Sequence, residues 1–213
     1  MASEIDICNL ALAHLGDTAT IASLSPPEGS AQAEHCARFY PVARDSLLEM
    51  HSWGFATRRV QLALLASGWP EWTYAYAQPA DALNVIAILP PESTDDYSTG
   101  VPDSAGGSYV PQPFCCEIND SGAPVIYTDQ ADAVLRYSAT VTDPTRFSPL
   151  FVMTLSWHLA SMLAGPIIKG DAGAAEAKRC AGMMQAYLPK AVESDSSQRR
   201  VRPEHVVGWM AGR

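Results

Sequence analysis

Residues 149–168, PLFVMTLSWHLASMLAGPII, carry no acidic or basic side chain other than His158. A helix of that length reaches about 30 Å, enough to cross a bilayer. Whatever fold the chain adopts must either bury this segment or give it to lipid. Thr154, Ser156, His158 and Ser161 dilute it, and Pro166 is expected to break it before its end. Mean hydropathy over the whole chain is only −0.02. The reading is therefore a core or interface helix, capped by Ser148 with Pro149 at its first position and running to Ala164, and not a membrane span.

So apolar a helix needs partners, and the flanking sequence offers three. Ser3 with Asp6 reads as an N-cap with a first-turn acid. Ile5, Cys8, Leu12 and Leu15 form a stripe behind it, and Gly16 is the stop. After the loop SLSPPEGS, a second helix is predicted from Ser30 to Met50. Ala33, Cys36, Tyr40, Ala43, Leu47 and Met50 recur at three- and four-residue steps, with a kink or break at Pro41. Asp171 is predicted to cap a last helix reaching Ala191, its stripe being Ala177, Cys180, Met184, Tyr187 and Leu188.

The middle of the chain has a different period. Val60, Leu62 and Leu64 alternate with Gln61 and Ala63. ALNVIAIL (82–89), FCCEI (114–118), PVIYT (124–128) and AVLRYSATV (133–141) read as further strands, with a turn at NDSG (119–122). Residues 90–113, rich in Pro, Gly, Ser and Asp, read as a mobile loop. The predicted class is α+β: an α-helical bundle (1–55 and 144–194), an antiparallel β domain inserted into it (56–143), and an extended C-terminal arm (195–213).

Charge separates the arm from the body. The chain carries −9 overall, yet residues 178–213 hold seven Lys/Arg against Glu193, Asp195 and Glu204. That segment is +4 and the remainder −13, which excludes non-specific nucleic-acid binding by the whole surface and gives the tail a macromolecular partner. Arg199, Arg200 and Arg202 precede Val206, Val207, Trp209 and Met210, a basic segment followed by a small apolar anchor; it reads as docking in a groove on a partner, the alternatives being a disordered terminus and direct nucleic-acid contact. Chemistry is harder to find. No phosphate-binding loop, dinucleotide fingerprint, HExxH or GxSxG occurs, and the five histidines show no metal spacing. His158 reads as a satisfied core or interface residue, and Asp95–Asp96 and Asp129/Asp132 as turn carboxylates. Five cysteines without a CxxC pair read as reduced thiols. No cofactor, metal or catalytic group is predicted.

The stretch LLEMHSWGFATRRVQLAL (47–64) stands where helical period gives way to strand period. Trp53 and Phe55 are expected to pack that junction, with Gly54 allowing the turn. Arg58 and Arg59 must face opposite sides of the strand they enter, one pairing within the subunit and the other across to a neighbour. Three motifs then occur in order: the aromatic-Ala-Arg-Arg stretch, Tyr-x-x-Pro-x-Asp (Tyr76 to Asp81), and Asp-Pro-x-x-Phe-x-Pro-x-Phe (Asp143 to Phe151). With the N-terminal EIDICNLALAHLGD, this run resembles the tail tubular protein A family, the head-to-tail adaptors of short-tailed bacteriophages, over roughly residues 3–190.

The resemblance implies a non-enzymatic virion protein forming a ring with itself, typically of twelve copies, beneath the portal protein. Such a ring extends the DNA channel without specific recognition of DNA and carries the tail nozzle protein and, in some members, tail fibres. It implies a helical bundle with a β-rich insertion, and portal docking by the C-terminal segment, carried here to Arg199, Arg200, Arg202, Val206 and Trp209. Trp53, Phe55, Arg58, Arg59 and Trp157 are the candidates for the subunit interface or the junction. The apolar helix is expected to supply part of the contact between neighbours.

Overall fold

The computed structural model describes residues 2–66, 69–91 and 112–198. The fold is α+β, with four α-helices and two antiparallel sheets among these residues. The chain divides into a helical unit, Met1–Ala56 with Thr140–Gln198, and a β unit within Thr57–Ala139. The divisions thus fall at 56/57 and 139/140, against the predicted 55/56 and 143/144.

In the helical unit α1 (Glu4–His14) starts at a reciprocal capping box. The Ser3 hydroxyl accepts from Asp6 N–H, and the Asp6 carboxylate accepts from Ser3 N–H. These bonds hold the Asp6 carboxyl below its ordinary range. The buried stripe is Ile7, Cys8, Ala11 and Leu12, whereas Ile5 and Leu15 are only half-buried and flank it.

Helix α2 (Ala31–Glu49), capped by Ser30, buries Ala33, Cys36, Tyr40, Ala43, Arg44, Leu47 and Leu48. Of the kink or break predicted at Pro41, the break does not occur, since the helix continues through it. Proline in a helix interior costs about 3 kcal/mol, and a stripe of buried side chains on both sides of it offsets that. Met50, predicted on the stripe, is the exposed C-cap.

Helix α3 (Pro149–Ile168) begins with the Ser148 hydroxyl accepting from Phe151 N–H, and it runs through Pro166 rather than stopping at Ala164. It packs against α1, α2 and α4. Among the described residues it is the one helix long and apolar enough to cross a membrane by length and composition. Here Phe151, Leu155, Leu159, Ala160, Leu163 and Ala164 are fully buried.

Helix α4 (Gly170–Ser197) follows after one residue, Lys169, whose φ is 63°. Asp171 therefore lies inside the first turn and does not cap it. Its buried residues are Gly173, Cys180, Met184 and Ala191, so Ala177, Tyr187 and Leu188 form a half-buried margin. Residues 195–197, predicted as the start of an arm, are helical.

Gly173 sets how closely α4 approaches α3, because a Cβ there would stand 3.0 Å from the Ala164 carbonyl oxygen. Glycine-to-alanine in a helix interior normally stabilises by up to about 1 kcal/mol. Here the obstructing atom is backbone and cannot swing away. Gly173→Ala is expected to lower stability by about 1–2 kcal/mol instead, read as a fall in the urea midpoint at constant m-value. A midpoint at or above the wild type would mean that α3 and α4 can slide apart at no cost.

The β unit contains β1 (Thr57–Gln61), β2 (Leu64–Leu65), β3 (Tyr74–Ala77), β4 (Ala82–Leu89), β5 (Phe114–Ile118), β6 (Pro124–Thr128) and β7 (Val134–Ala139). They form a sheet of order β1-β7-β4 and a second of order β2-β3-β6-β5. Leu62, Ile88, Leu135 and Tyr137 meet Tyr76 and Ile126 of the second sheet in a shared core. The other face of the second sheet buries Ala75, Val125 and Tyr127 under Leu65, Trp72 and Cys115. The alternation predicted over Val60, Leu62 and Leu64 fails because the run splits between two sheets. Only Leu62 is buried, while Val60 is 38% and Leu64 62% exposed. At NDSG the Asn119 carboxamide oxygen accepts from Ser121 and Ala123 N–H, and Gly122 takes φ 81°. The predicted loop at 90–113 lies largely outside the described residues.

Candidate functional site

The junction stretch folds into an aromatic cluster. Helix α2 ends, Trp53 N–H donates to the His51 carbonyl and Ala56 N–H to the Trp53 carbonyl, and this tight path drives the Trp53 indole inward. Trp53 is fully buried, and its Nε1–H donates to the Leu47 carbonyl at 2.9 Å. Its ring stands edge-on to Phe151 at 4.9 Å, and Phe55 meets Phe151 at 5.1 Å and Phe147 at 5.6 Å. Phe147 and Phe151 are the two phenylalanines of the Asp-Pro-x-x-Phe-x-Pro-x-Phe segment. Its leading Asp143 caps a single 3-10 turn (Pro144–Arg146) by accepting from the Thr145 hydroxyl at 2.7 Å and the Thr145 N–H at 3.0 Å. Those bonds hold its carboxyl below the ordinary range. Trp53, a candidate for the subunit interface or the junction, is buried within its own unit.

Gly54 has another role than the one expected. Its φ is not in the left-handed region, so the turn does not demand glycine. The Asp195 carboxylate, on the last turn of α4, takes the Gly54 N–H at 2.9 and 3.1 Å, and a Cβ on Gly54 would stand 3.3 Å from Asp195 Oδ1. His51 Nε2 lies 3.4 Å from the same carboxylate. The carboxylate that takes its N–H also crowds a Cβ there, and the tip of the Asp195 side chain would have to shift by a few tenths of an ångström to admit one.

The Arg-Arg pair enters β1. Arg58 Nη1 donates to Asp81 Oδ2 at 2.6 Å, and the Tyr137 hydroxyl donates to Asp81 Oδ1 at 3.1 Å. Arg58 and Tyr137 are cross-strand partners, so Asp81 clamps the β1–β7 pair from its position just before β4. Burial first, and the bond to Asp81 second, push the Tyr137 phenol up. Tyr76, at the head of the Tyr-x-x-Pro-x-Asp motif, donates its hydroxyl to the Gln130 carbonyl at 2.9 Å. Arg59 is exposed.

Trp157 is half-buried and committed within the helical unit. It stacks on His14 at 3.5 Å with 5° between planes, and the Arg179 guanidinium lies 5.3 Å from its ring centre. Arg179 also donates to the His14 carbonyl and to Glu176, which joins α1, α3 and α4 at one point. The indole Nε1 of Trp157 is buried without a hydrogen-bond partner. The remaining candidates, Arg199, Arg200, Arg202, Val206 and Trp209, lie outside the described residues.

Two side-chain hydrogen bonds of helix α3 to its neighbours run through histidines. Ser156 Oγ shares a hydrogen bond with His14 Nε2 at 3.0 Å, and His158 Nε2 shares one with Ser46 Oγ at 2.9 Å. Burial, with Arg179 adding to it at His14, lowers both imidazoles below the ordinary 6.5. As pH falls through 6.5 the unfolded chain takes up protons at these positions while the folded one does not. Stability therefore declines with falling pH from that point down to the depressed native values. Urea midpoints at about pH 7.5 and about pH 5.5 check this: His14→Gln with His158→Gln is expected to flatten the profile. An unchanged slope in the double variant would place the acid sensitivity elsewhere.

Four of the six exposed large apolar residues among those described, Val60, Leu64, Trp69 and Ile118, belong to the β unit, with Ile118 73% exposed. No group of three His, Cys, Asp or Glu side chains that could hold a metal occurs among the described residues. No protein-family model matches this chain, and no curated protein matches it.

Sequence reasoning picked out Gly54 and Arg58 but did not pair them with the carboxylates that answer them. Asp81 and Asp195 stand 23 residues from Arg58 and 141 from Gly54. Asp81 closes the second motif of the ordered run, which was the one signal available for it.

Proposed function

We propose that this chain is a structural virion protein without catalytic activity, a head-to-tail adaptor of a short-tailed bacteriophage. It forms a ring, of twelve copies in this reading, between the portal and the tail nozzle, and the ring extends the DNA channel. The observation that carries the reading is the ordered run of three motifs from the aromatic-Ala-Arg-Arg stretch to Phe151. Its residues make contacts inside each unit: Phe55 against Phe147 and Phe151 in one, Arg58 against Asp81 in the other. Charge agrees with it, since an acidic body repels the phosphates that must slide past. The basic C-terminal segment then supplies one portal contact per copy, and ring symmetry multiplies a weak contact into avidity.

The test is a mass measurement of the chain mixed with purified portal protein. A ring of copies on the portal is expected, and removing residues 199–213 is expected to weaken binding about tenfold or more. The cut belongs after Gln198, because an earlier one removes the Asp195 contact to Gly54 and confounds docking with folding. Absence of any higher-order ring, together with unchanged binding after truncation, would overturn the reading.

The exposed apolar residues of the β unit favour a second reading, a soluble interaction module that uses this unit on a different partner. Particle images of its complex would then lack rotational symmetry.

A further inference from the structure

Helix α4 outruns the packing that holds it. Its last fully buried residue is Ala191, and the residues beyond it, to Ser197, are half-buried or exposed. The electrostatics of that end are adverse. The last carbonyls of a helix present partial negative charge, and Glu193 and Asp195 add carboxylates to it with no basic residue in the last turn. The first cations, Arg199 and Arg200, come only after the C-cap. Closure is local and polar. Gln198 N–H donates to the Asp195 and Ser196 carbonyls, and the Ser197 hydroxyl donates to those of Glu193 and Ser194. Gln198 itself is right-handed, so the left-handed glycine stop is missing here.

A tertiary contact holds this end down. The Asp195 side chain is 11% exposed, both its oxygens take the Gly54 N–H, and His51 Nε2 lies 3.4 Å from Oδ2. The seat is anchored independently of α4. His51 stands edge-on to Trp53 at 4.9 Å, and Trp53 is fully buried and bonded to the Leu47 carbonyl. A preformed seat thus receives a helix end that is weak by itself.

We propose that Asp195 is a latch on the end of α4. Seated, it keeps residues 192–197 helical; unseated, they unwind, and the C-terminal segment departs from Ala191 instead of Gln198. About six residues span roughly 9 Å as helix and roughly 20 Å when extended, so release doubles their reach. The opening is local, because Gly173, Cys180, Met184 and Ala191, the buried residues of α4, all precede it. In the adaptor reading the added reach belongs to the segment that meets the portal. The unwinding itself does not depend on that reading.

Residue-resolved amide exchange by NMR on the full chain at neutral pH tests the latch. In Asp195→Ala the amides of 194–197 are expected to exchange about tenfold faster or more, because a charge-assisted hydrogen bond is lost. Those up to Ala191 are expected to keep their wild-type rates. Asp195→Asn retains an acceptor for the Gly54 N–H without the charge, and its rates are expected to fall between. Glu193→Gln removes the other anion and leaves the latch seated, so the same amides are expected to slow by about two- to fivefold. Wild-type rates at 194–197 in Asp195→Ala would mean that the helix end holds itself. Acceleration along the whole of α4 would mean that the contact belongs to the global fold. Either result overturns the latch. Unchanged or faster exchange in Glu193→Gln overturns it too, and that variant decides the matter even if the alanine variant does not fold. Failure to bind portal protein bears on the adaptor reading alone.

Discussion

Phe151→Ala is expected to destabilise the helical unit by about 3–5 kcal/mol, toward the upper end of that range. The size follows from how little its surroundings can relax. Phe151 is fully buried, with ring centres of Trp53, Phe55 and Phe147 at 4.9, 5.1 and 4.8 Å. Trp53 is held from the other side by its bond to the Leu47 carbonyl. A void lined by anchored rings stays open, so both the lost transfer energy and the cavity count. Phe151→Leu refills most of that volume and is expected to cost about 1–2 kcal/mol. Denaturant midpoints followed by tryptophan fluorescence give both values. An alanine variant within about 1 kcal/mol of wild type would show that the cluster is not the keystone described above.

Leu135→Ala is expected to cost the β unit about 2–5 kcal/mol. Leu135 sits on β7, the central strand of its sheet, opposite Val60 on β1 and Ile88 on β4. It is fully buried and shares its core with Tyr76 and Ile126 of the other sheet. Its partner Val60 is 38% exposed, so Val60→Ala is expected to cost under about 1 kcal/mol. The contrast separates burial from strand pairing, since both residues occupy the same rung of the ladder. Hydrogen exchange gives a second readout. Faster exchange in β3 and β6 as well as in β1, β7 and β4 is the expected pattern for a core held in common. Loosening confined to the three-stranded sheet would mean that the two sheets are stabilised separately.

How far the sequence spoke depended on how local the governing physics was. Two caps were readable, since Ser3 and Ser148 each accept from the N–H three residues on, while Asp171 was misread because the helix starts one residue before it. The runs 82–89, 114–118 and 124–128 were readable because β-rich segments between turn residues have few alternatives. Strands β2 and β3 were not, since two leucines and a YAYA stretch are too short to show a period. Helix ends were under-read at proline. Pro41 and Pro166 both lie inside helices, because the local penalty is known from sequence while the compensating burial is not. At the candidate site the residue types carried the signal but the partners did not. Arg58 asks for a carboxylate, and only the strand order says that Asp81 supplies it. Gly54 looked like a turn residue until Asp195 arrived from the far end of the chain.

The register of β1 on β7 carries one more consequence. Thr57, where the chain enters the β unit, is paired directly with Ser138, one residue before Ala139, where it leaves. Entry and exit are therefore neighbouring rungs, about 5 Å apart, a gap that a joint of two or three residues spans. A β unit attached in this way has its two attachment points side by side, so a short glycine–serine joint from Ala56 to Thr140 is long enough to close the gap it would leave.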